Sequence, residues 1–305
     1  MSSDGRFPAG GDVSEHHGEP PGAASEEVLA PRFVISRRYA ANSGGARGLL
    51  ITVLGEFARP TGQPTPTSAF IDVFGRLGIQ EKACRQALAR AAADGWLVPI
   101  RRGRQTCWQL SPPCLQFLTL GAQRIYGFAP VQRDWDRRWL LVLARAGESN
   151  RSVRHLLRTR LRWAGFGSPA PATWISPHVD RVGEAEFILR EAGVHGDAQI
   201  FSGEYLAGGD LPGLVRQAWD LEEIAQGYQG FLEEFTDPAA DDPLVCLTRI
   251  VHSWRRLMLL DPTLPHELLP AGWIGVPAGN LFVEQQAGWR RAALREWERL
   301  SVPGC

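Results

Sequence analysis

The first regular pattern of apolar and polar positions lies between Ala46 and Leu110. Apolar residues recur at helical spacing over 46–57 and Thr67–Leu77, which predicts two helices. A third predicted helix follows Gly78 and ends at Asp94-Gly95, with an apolar stripe of Ala83, Ala87, Leu88 and Ala91. Extended stretches at 96–100 and 106–110 enclose a basic turn, Arg101–Arg104, and so predict a hairpin. This order of elements predicts a winged helix-turn-helix domain.

Long hydrogen-bond donors lie outside the apolar stripe of the third helix, namely Lys82, Arg85, Gln86 and Arg90. Lys82, Gln86 and Arg90 are four residues apart and share one ridge. Such a helix would enter a DNA major groove, and the hairpin arginines would reach phosphates or the minor groove. The alternative is an ordinary helical domain with a solvated basic face.

The middle of the chain changes to short apolar runs that alternate with helical patterns. Strands are predicted at 139–144, 172–176 and 199–203, and helices at 151–164 and 183–192, the first capped by Ser149-Asn150. This βαβαβ order fits a ferredoxin-like α+β domain whose fourth strand is unidentified. The first helix carries an arginine stripe made of Arg151, Arg154, Arg158 and Arg162. The stripe is a solvated face, a phosphate-binding surface for an anionic effector, or a further DNA contact.

The last third of the chain predicts three long amphipathic helices, at Leu214–Phe235, Leu244–Leu260 and about Ala278–Leu300. The middle one carries more apolar surface than an isolated helix would, which indicates a helix–helix core together with a subunit interface. The predicted organisation is therefore a multidomain α+β protein. Its parts are a disordered tail and linker (1–45), the winged helix-turn-helix domain (46–112), a connecting helix (113–134), the ferredoxin-like domain (135–208), and a helical effector and dimerisation domain (209–305).

The charge is segregated along the chain although its formal sum is zero. Residues 46–110 carry nine Lys/Arg against four Asp/Glu, a net +5, and residues 131–175 carry nine against three, a net +6. Residues 176–305 carry ten against twenty, a net −10. A basic front half suits contact with nucleic-acid phosphates, so the zero sum does not argue against DNA binding.

No catalytic motif is present: the chain lacks GxGxxG after a strand, a phosphate-binding loop, GxSxG and HExxH. We therefore expect no enzyme activity and no cofactor. The five cysteines are scattered without a CxxC pair, which predicts reduced packing residues and no metal site. No apolar run approaches the roughly 20 residues of a membrane span, and no signal core opens the chain, so we expect a cytoplasmic protein without membrane contact.

Seven segments spread over the chain resemble the PaaX family, the repressors of phenylacetic-acid degradation operons. They read ARGLLITVLGEFARPTG (46–62), ALARAAADGWL (87–97), WDRRWLLVLA (135–144), LRTRLRWAGFG (157–167), TWISP (173–177), DPTLPHELLPAGWIG (261–275) and NLF (280–282). The resemblance implies a winged-helix domain, a central ferredoxin-like domain similar to the small CRISPR-associated nucleases, and a helical C-terminal domain. It covers residues 46–300.

The resemblance also implies a homodimer that binds double-stranded operator DNA as a transcriptional repressor and is released by an aryl-acyl-CoA such as phenylacetyl-CoA. Carried over to this sequence, the DNA-reading positions are Gln80, Lys82, Arg85, Gln86, Arg90, Arg101, Arg102 and Arg104. Arg154, Arg158 and Arg162 are candidates for the CoA phosphates.

Three alternatives stay open. A ferredoxin-like nuclease would need an aspartate where the strand Leu140–Ala144 ends, but Arg145 stands there. A DNA-independent interaction protein would use the aromatic C-terminal helices. A third interpretation keeps DNA binding in an activator or in a regulator blind to ligand.

Overall fold

The structure is a computed structural model that describes residues 45–127, 135–145, 150–238 and 242–301. The predicted tail, 1–45, and the predicted cap residue Ser149 lie outside these ranges, apart from Gly45. Helices and two small sheets alternate along the described chain, so the predicted α+β class is confirmed at this level.

The described chain begins with helix α1 (Ala46–Val53), which continues through a π-helical turn (Leu54–Ala58) and a last turn (Arg59–Thr61). Two further helices follow, α2 (Thr67–Arg76) and α3 (Glu81–Ala93), as the apolar spacing predicts. The π-helical turn was not expected. Most of its residues are buried, among them Glu56 and Phe57.

A three-stranded antiparallel sheet accompanies these helices, formed by β1 (Thr65–Pro66), β2 (Leu97–Arg102) and β3 (Gln105–Leu110) in the order β1-β3-β2. The β2–β3 hairpin was predicted, whereas the pairing of Thr65 with Trp108 was not. Helix α4 (Pro112–Tyr126) follows at once. It begins before the predicted start of the connecting helix because the Ser111 hydroxyl accepts a hydrogen bond from the Cys114 amide, 3.3 Å away.

The middle of the chain forms a second sheet with two helices: β4 (Arg138–Leu143), α5 (Arg151–Trp163), β5 (Gly167–Ala170), β6 (Thr173–Ser176), α6 (Val182–Glu191) and β7 (Gln199–Glu204). The strand order is β5-β6-β4-β7, with all neighbours antiparallel. Strand β5 supplies the fourth strand that the pattern left unidentified. Its sequence, Gly-Ser-Pro-Ala, contains no β-branched or aromatic residue, so propensity gives no signal for it.

Four helices complete the described chain: α7 (Leu211–Ala218), α8 (Leu221–Phe235), α9 (Pro243–Leu260) and α10 (Gly275–Ser301). The single helix predicted over Leu214–Phe235 is wrong, because Trp219 is extended and divides it. Buried Trp219 stacks on Trp139 of β4, with ring centroids 6.3 Å apart. Asp220 then caps α8 by accepting a hydrogen bond from the Glu223 amide at 3.0 Å.

The largest core joins the N-terminal helices to the C-terminal helices. Trp297 of α10 is completely buried between Phe57 and Phe70, with ring centroids 5.2 and 5.6 Å away. A smaller core fills the space between the central sheet and helices α5 and α6. Among the described helices, none combines the length and the apolar content that a membrane crossing requires.

Among the cysteines that the structure describes, one departs from the prediction. Cys84, Cys114 and Cys246 are buried, as expected for packing residues. Cys107 of β3 is disulfide-bonded, so the prediction of reduced cysteines is wrong there. Pairing depends on which segment of the fold lies beside β3, and spacing along the sequence does not report that.

Candidate nucleic-acid interface

The turn before α3 fixes where the helix begins. Gly78 has a φ of 76°, the left-handed conformation that glycine adopts without strain. The Ile79 amide donates to the Phe74 carbonyl at 2.8 Å, and the Gly78 amide donates to the Gly75 carbonyl at 3.0 Å. These two bonds form a Schellman motif that ends α2. The connection from α2 to α3 is therefore short, and the angle between the two helices is set locally.

The other end of α3 uses the same device. Gly95 has a φ of 77°, and the Trp96 amide donates to the Ala91 carbonyl at 2.8 Å. Trp96 is buried edge-on against Phe117 of α4, with ring centroids 5.0 Å apart. Because β2 starts at the next residue, the position of α3 also fixes the start of the hairpin.

The inner face of α3 is made of small side chains. Cys84, Ala87, Leu88 and Ala91 are buried, whereas Ala83 is half-buried. The predicted stripe is therefore right at three positions and wrong at Ala83, since Cys84 takes the inner place. Burial raises the pKa of the Cys84 thiol to about 12, so this thiol stays protonated and acts as a packing group.

The predicted DNA-reading side chains are all exposed to solvent: Lys82, Arg85, Gln86 and Arg90 on the outer face of α3, and Gln80 at the N-cap just before it. Arg85 is held by an acid that we did not anticipate, since its Nε donates to Glu81 Oε1 at 2.7 Å. Glu81 and Arg85 are 56% and 58% exposed, so both can exchange this bond for another partner. The i to i+4 spacing of the two residues was visible in the sequence.

The hairpin arginines Arg101, Arg102 and Arg104 are also exposed. The predicted four-residue turn is wrong in extent, because Arg101 and Arg102 still pair with Thr106 and Gln105 across the hairpin. The turn consists of Gly103, with a φ of 61°, and Arg104. Consecutive strand residues point to opposite faces, so Arg101 and Arg102 leave the hairpin on different sides.

A small hydrogen-bond chain attaches the hairpin to α2. The Thr67 hydroxyl donates to the Thr106 carbonyl at 2.8 Å, and the Trp108 indole Nε1–H donates to the Thr67 hydroxyl oxygen at 2.9 Å. The hairpin and the α2–α3 pair thus keep a fixed relative position. The structure therefore brings the arginines of the hairpin and the donors of α3 onto one rigid support.

The second predicted set, Arg154, Arg158 and Arg162, lies exposed along α5. Asn150 caps this helix, accepting from the Val153 amide at 3.3 Å, as predicted. The neighbouring Arg160 turns the other way and lies 3.5 Å from Glu191. In the described ranges, no three His, Cys, Asp or Glu residues are grouped so that they could hold a metal ion.

Sequence reasoning missed the charged groups that join the N-terminal and C-terminal helices. Arg76, the last residue of α2, contacts Asp72, Asp242 and Glu296 at 2.6, 3.1 and 2.7 Å. These carboxylates raise the pKa of Arg76, although burial opposes them. Only the Asp72–Arg76 spacing could have been noticed in the sequence, because Asp242 and Glu296 are far away along the chain.

Two buried carboxylates accompany this junction. The Tyr126 hydroxyl donates to Glu56, and Arg290 lies 3.7 Å from the other oxygen of Glu56. The Tyr228 hydroxyl donates to Asp261, which also accepts from the Thr263 amide at 2.5 Å. Burial raises the pKa of both carboxyl groups.

The chain is similar to known proteins along most of its described length. Three family models match successive segments: "PaaX-like protein" (45–113), "PaaX protein central Cas2-like domain" (132–215) and "PaaX-like protein C-terminal domain" (219–299). The transcriptional repressor PaaX of Escherichia coli (strain K12) is 31% identical over 227 residues, which is 68% of each chain. An uncharacterized protein of Mycobacterium tuberculosis has a similar fold, with a TM-score of 0.59, 22% identity and coverage of 84% of this chain and 98% of that chain.

Proposed function

The chain belongs to the PaaX family, and from this premise we propose that it is a sequence-specific, DNA-binding transcriptional repressor. It is a regulator and not an enzyme. The observation that carries the proposal is the outer face of α3, a helix that lies between two Schellman motifs: four long donors are exposed on it, and a fifth, Gln80, is exposed at its N-cap.

We assign the N-terminal helices and the β2–β3 hairpin to a winged helix-turn-helix, with α3 as the recognition helix and the hairpin as the wing. The short Gly78–Gln80 turn supports this assignment, because helix-turn-helix motifs join their helices by three or four residues. We assign the central sheet to the ferredoxin-like class. Its βαββαβ order and its β5-β6-β4-β7 arrangement support this.

Recognition helix α3 is about 20 Å long at 1.5 Å per residue, and its diameter matches the roughly 12 Å width of the major groove. We propose that Arg85 reads guanine and Gln86 reads adenine, the bases whose edges suit these side chains. Gln80, Lys82 and Arg90 flank them along the groove. Arg85 has to break its ion pair with Glu81 when it contacts a base, and the free-energy cost is small because both side chains are exposed.

The wing residues Arg101, Arg102 and Arg104 are proposed to contact phosphates. Their contribution would then be independent of base sequence and would weaken as salt increases. The opposite directions of Arg101 and Arg102 suit contacts to the two strands that border a groove.

We further propose that the protein acts as a homodimer on two half-sites and is released by an aryl-acyl-CoA such as phenylacetyl-CoA. A repressor of this kind needs two conformations between which the effector discriminates. The joint core of the N-terminal and C-terminal helices supports the proposal, because a change at the C-terminal helices can reach α3 by direct packing.

Fluorescence anisotropy with the DNA upstream of the protein's own operon tests the function. We expect the Arg85→Ala/Gln86→Ala variant to lose about ten- to a hundredfold in specific affinity and to discriminate less between operator and random DNA. The Arg101→Ala/Arg102→Ala/Arg104→Ala variant should lose affinity for both DNAs and show a smaller salt dependence. Arg216→Ala, an exposed arginine far along the chain, is the control. Equal operator affinity of all four proteins would contradict the proposal.

A further inference from the structure

A cleft lies between the N-terminal and the C-terminal helices, away from the outer face of α3. Its floor is one stripe of α9, with Val245, Arg249, Ser253 and Arg256 at helical spacing. Its opposite wall contains Leu49 of α1 and Leu77, the residue that follows α2. Glu234 of α8 and His252 of α9 line it too, so the cleft offers cations, a hydroxyl, an imidazole and one carboxylate, with aliphatic surface at its edges. Its volume is about 340 Å³, within the range of ligand pockets.

The cations on the floor are incompletely neutralised. The Arg249 side chain is 56% exposed, and the carboxylate with which it pairs in the described ranges, that of Glu234, lies 3.6 Å away. Arg256 is exposed and forms no ion pair within the ranges that the structure describes. Arg76 also borders the cleft, but its guanidinium is already paired with three carboxylates. An incoming anion would therefore meet Arg249 and Arg256.

Arg255, next to Arg256 on α9, adds a second observation. Its guanidinium donates to the Gly48 carbonyl of α1 at 3.2 Å, while its buried Nε has no hydrogen-bond partner in the described structure. Burial, with repulsion from Arg256, lowers the pKa of Arg255 to about 10. Within the described ranges no carboxylate forms an ion pair with this half-buried cation, which is unusual because charges removed from water are normally paired. An anion on Arg256 would relieve this excess of positive charge.

The walls connect the cleft to the recognition helix. Leu77 immediately precedes the Gly78–Gln80 turn, and Leu49 belongs to α1, which packs on α3. A ligand that fills the cleft therefore touches α9 on one side and both helices that support α3 on the other. Its binding energy depends on their separation, which is the requirement for coupling two sites.

We propose that this cleft is the effector site: Arg249, Arg256 and the Ser253 hydroxyl bind the phosphate or carboxylate of a small amphiphilic anion whose apolar part contacts Leu49, Leu77 and Val245. The inference rests on the proposed repressor function for its biological meaning, but the binding site can be tested without DNA. The cleft differs from the Arg154, Arg158 and Arg162 stripe in having an apolar wall beside its cations. The stripe lies along a single exposed helix face, which suits phosphates alone.

Isothermal titration of the full chain with phenylacetyl-CoA, coenzyme A and phenylacetate tests the proposal. We expect Arg249→Ala/Arg256→Ala to weaken binding of phenylacetyl-CoA about ten- to a hundredfold, as expected when hydrogen bonds to charged groups are lost. The control, Arg154→Ala/Arg158→Ala/Arg162→Ala, removes more positive charge but should bind as the wild type does. Binding of coenzyme A alone would assign the cleft to the phosphates, and binding of phenylacetate alone would assign it to the acyl end.

Several results would overturn the cleft assignment: no binding of any of the three compounds, an unchanged affinity in the Arg249/Arg256 variant, or a loss confined to the control. A loss of operator affinity in the Arg249/Arg256 variant without ligand would also overturn it, because the two arginines would then be DNA contacts. If the wild type binds ligand at the cleft but no operator, the repressor function fails while the cleft assignment stands.

Discussion

Glutamate and arginine side chains are used in opposite ways at the outer face of α3 and at the seam between the N-terminal and C-terminal helices. On α3, the Glu81 and Arg85 side chains are more than half exposed, and in the part of the chain that the structure describes their ion pair is with each other. At the seam, the Arg76 side chain is 27% exposed and contacts three carboxylates, and Glu56 is 4% exposed. Charged groups of the first kind can easily change partner. Charged groups of the second kind hold the N-terminal and C-terminal helices together.

This difference predicts where a substitution acts. An exposed i to i+4 ion pair contributes about 0.3–0.5 kcal/mol to stability. A buried ring or a buried hydrogen bond contributes several times as much. Changes at the seam should therefore appear mainly as lost stability, and changes on α3 should appear mainly as altered DNA affinity.

The largest effect is expected for Trp297→Ala. The indole is fully buried between Phe57 and Phe70, so its removal leaves a cavity inside the N-terminal core and should cost about 3–5 kcal/mol of unfolding free energy. Denaturant unfolding followed by circular dichroism measures it.

Trp297→Phe is the matched control for this change, because it keeps a ring and gives up only an indole N–H without a hydrogen-bond partner in the described structure. It should lose clearly less stability. If Trp297→Ala produced a separate early transition that left the N-terminal helices folded, the joint core would be refuted.

A smaller effect is expected for Tyr228→Phe. The substitution removes the hydroxyl that donates to buried Asp261 and leaves that carboxyl with an unsatisfied oxygen, which should cost about 1–3 kcal/mol. Tyr205→Phe is the control, since the Tyr205 hydroxyl donates to the Gly208 carbonyl at an exposed site. Chemical denaturation measures both changes. Equal losses of unfolding free energy in the two variants would show that burial does not strengthen the contribution of the Tyr228–Asp261 hydrogen bond.

The sequence predicted the parts of this fold that depend on local spacing. Helix α2 follows from Ala69, Phe70, Val73 and Phe74, and the exposure of Arg85 follows from its place opposite the apolar stripe. Strand β5 escaped because it forms by pairing with β6 and not by propensity. The break at Trp219 escaped for a similar reason, since the ring leaves the helix to stack on Trp139.

The seam was beyond the reach of periodicity. The sequence around Arg76 does not indicate that Asp242 and Glu296 will pair with it. The sequence around Phe57 does not indicate that Trp297 will stack on its ring. Consequently the exposure of the candidate DNA-reading residues, which lie on one helix and one hairpin, could be predicted residue by residue. The cleft behind it, built from segments far apart along the chain, could not.

Glu56→Gln should change how the free energy of unfolding depends on pH. Burial raises the pKa of Glu56 above its ordinary value of 4.5, so between these two values the folded protein keeps a proton that the unfolded chain has lost. The stabilisation that this proton provides is fully present below pH 4.5 and is lost as pH rises through the folded pKa. The total loss is about 1.4 kcal/mol for each unit by which the folded pKa exceeds the unfolded pKa. Glutamine does not titrate, so the variant should gain on the wild type, on the order of 1 kcal/mol, as unfolding is followed from about pH 4.5 to about pH 8. A difference that is flat, or that runs in favour of the wild type, would contradict the burial effect.

The smallest change in stability, with an opposite change in function, is expected for Glu81→Gln. Loss of the exposed pair with Arg85 should cost only about 0.5 kcal/mol. Operator affinity should nevertheless rise about two- to fivefold, because Arg85 no longer has to leave a carboxylate and one negative charge is removed from beside the DNA phosphates. Glu186→Gln is a closely matched control: Glu186 and Arg190 form the same i to i+4 pair on α6, at 2.8 Å and with similar exposure. It should lose the same small stability without any gain in anisotropy-measured affinity. If operator affinity rose equally in both variants, the effect would come from net charge. The proposal that α3 contacts the operator would then be contradicted.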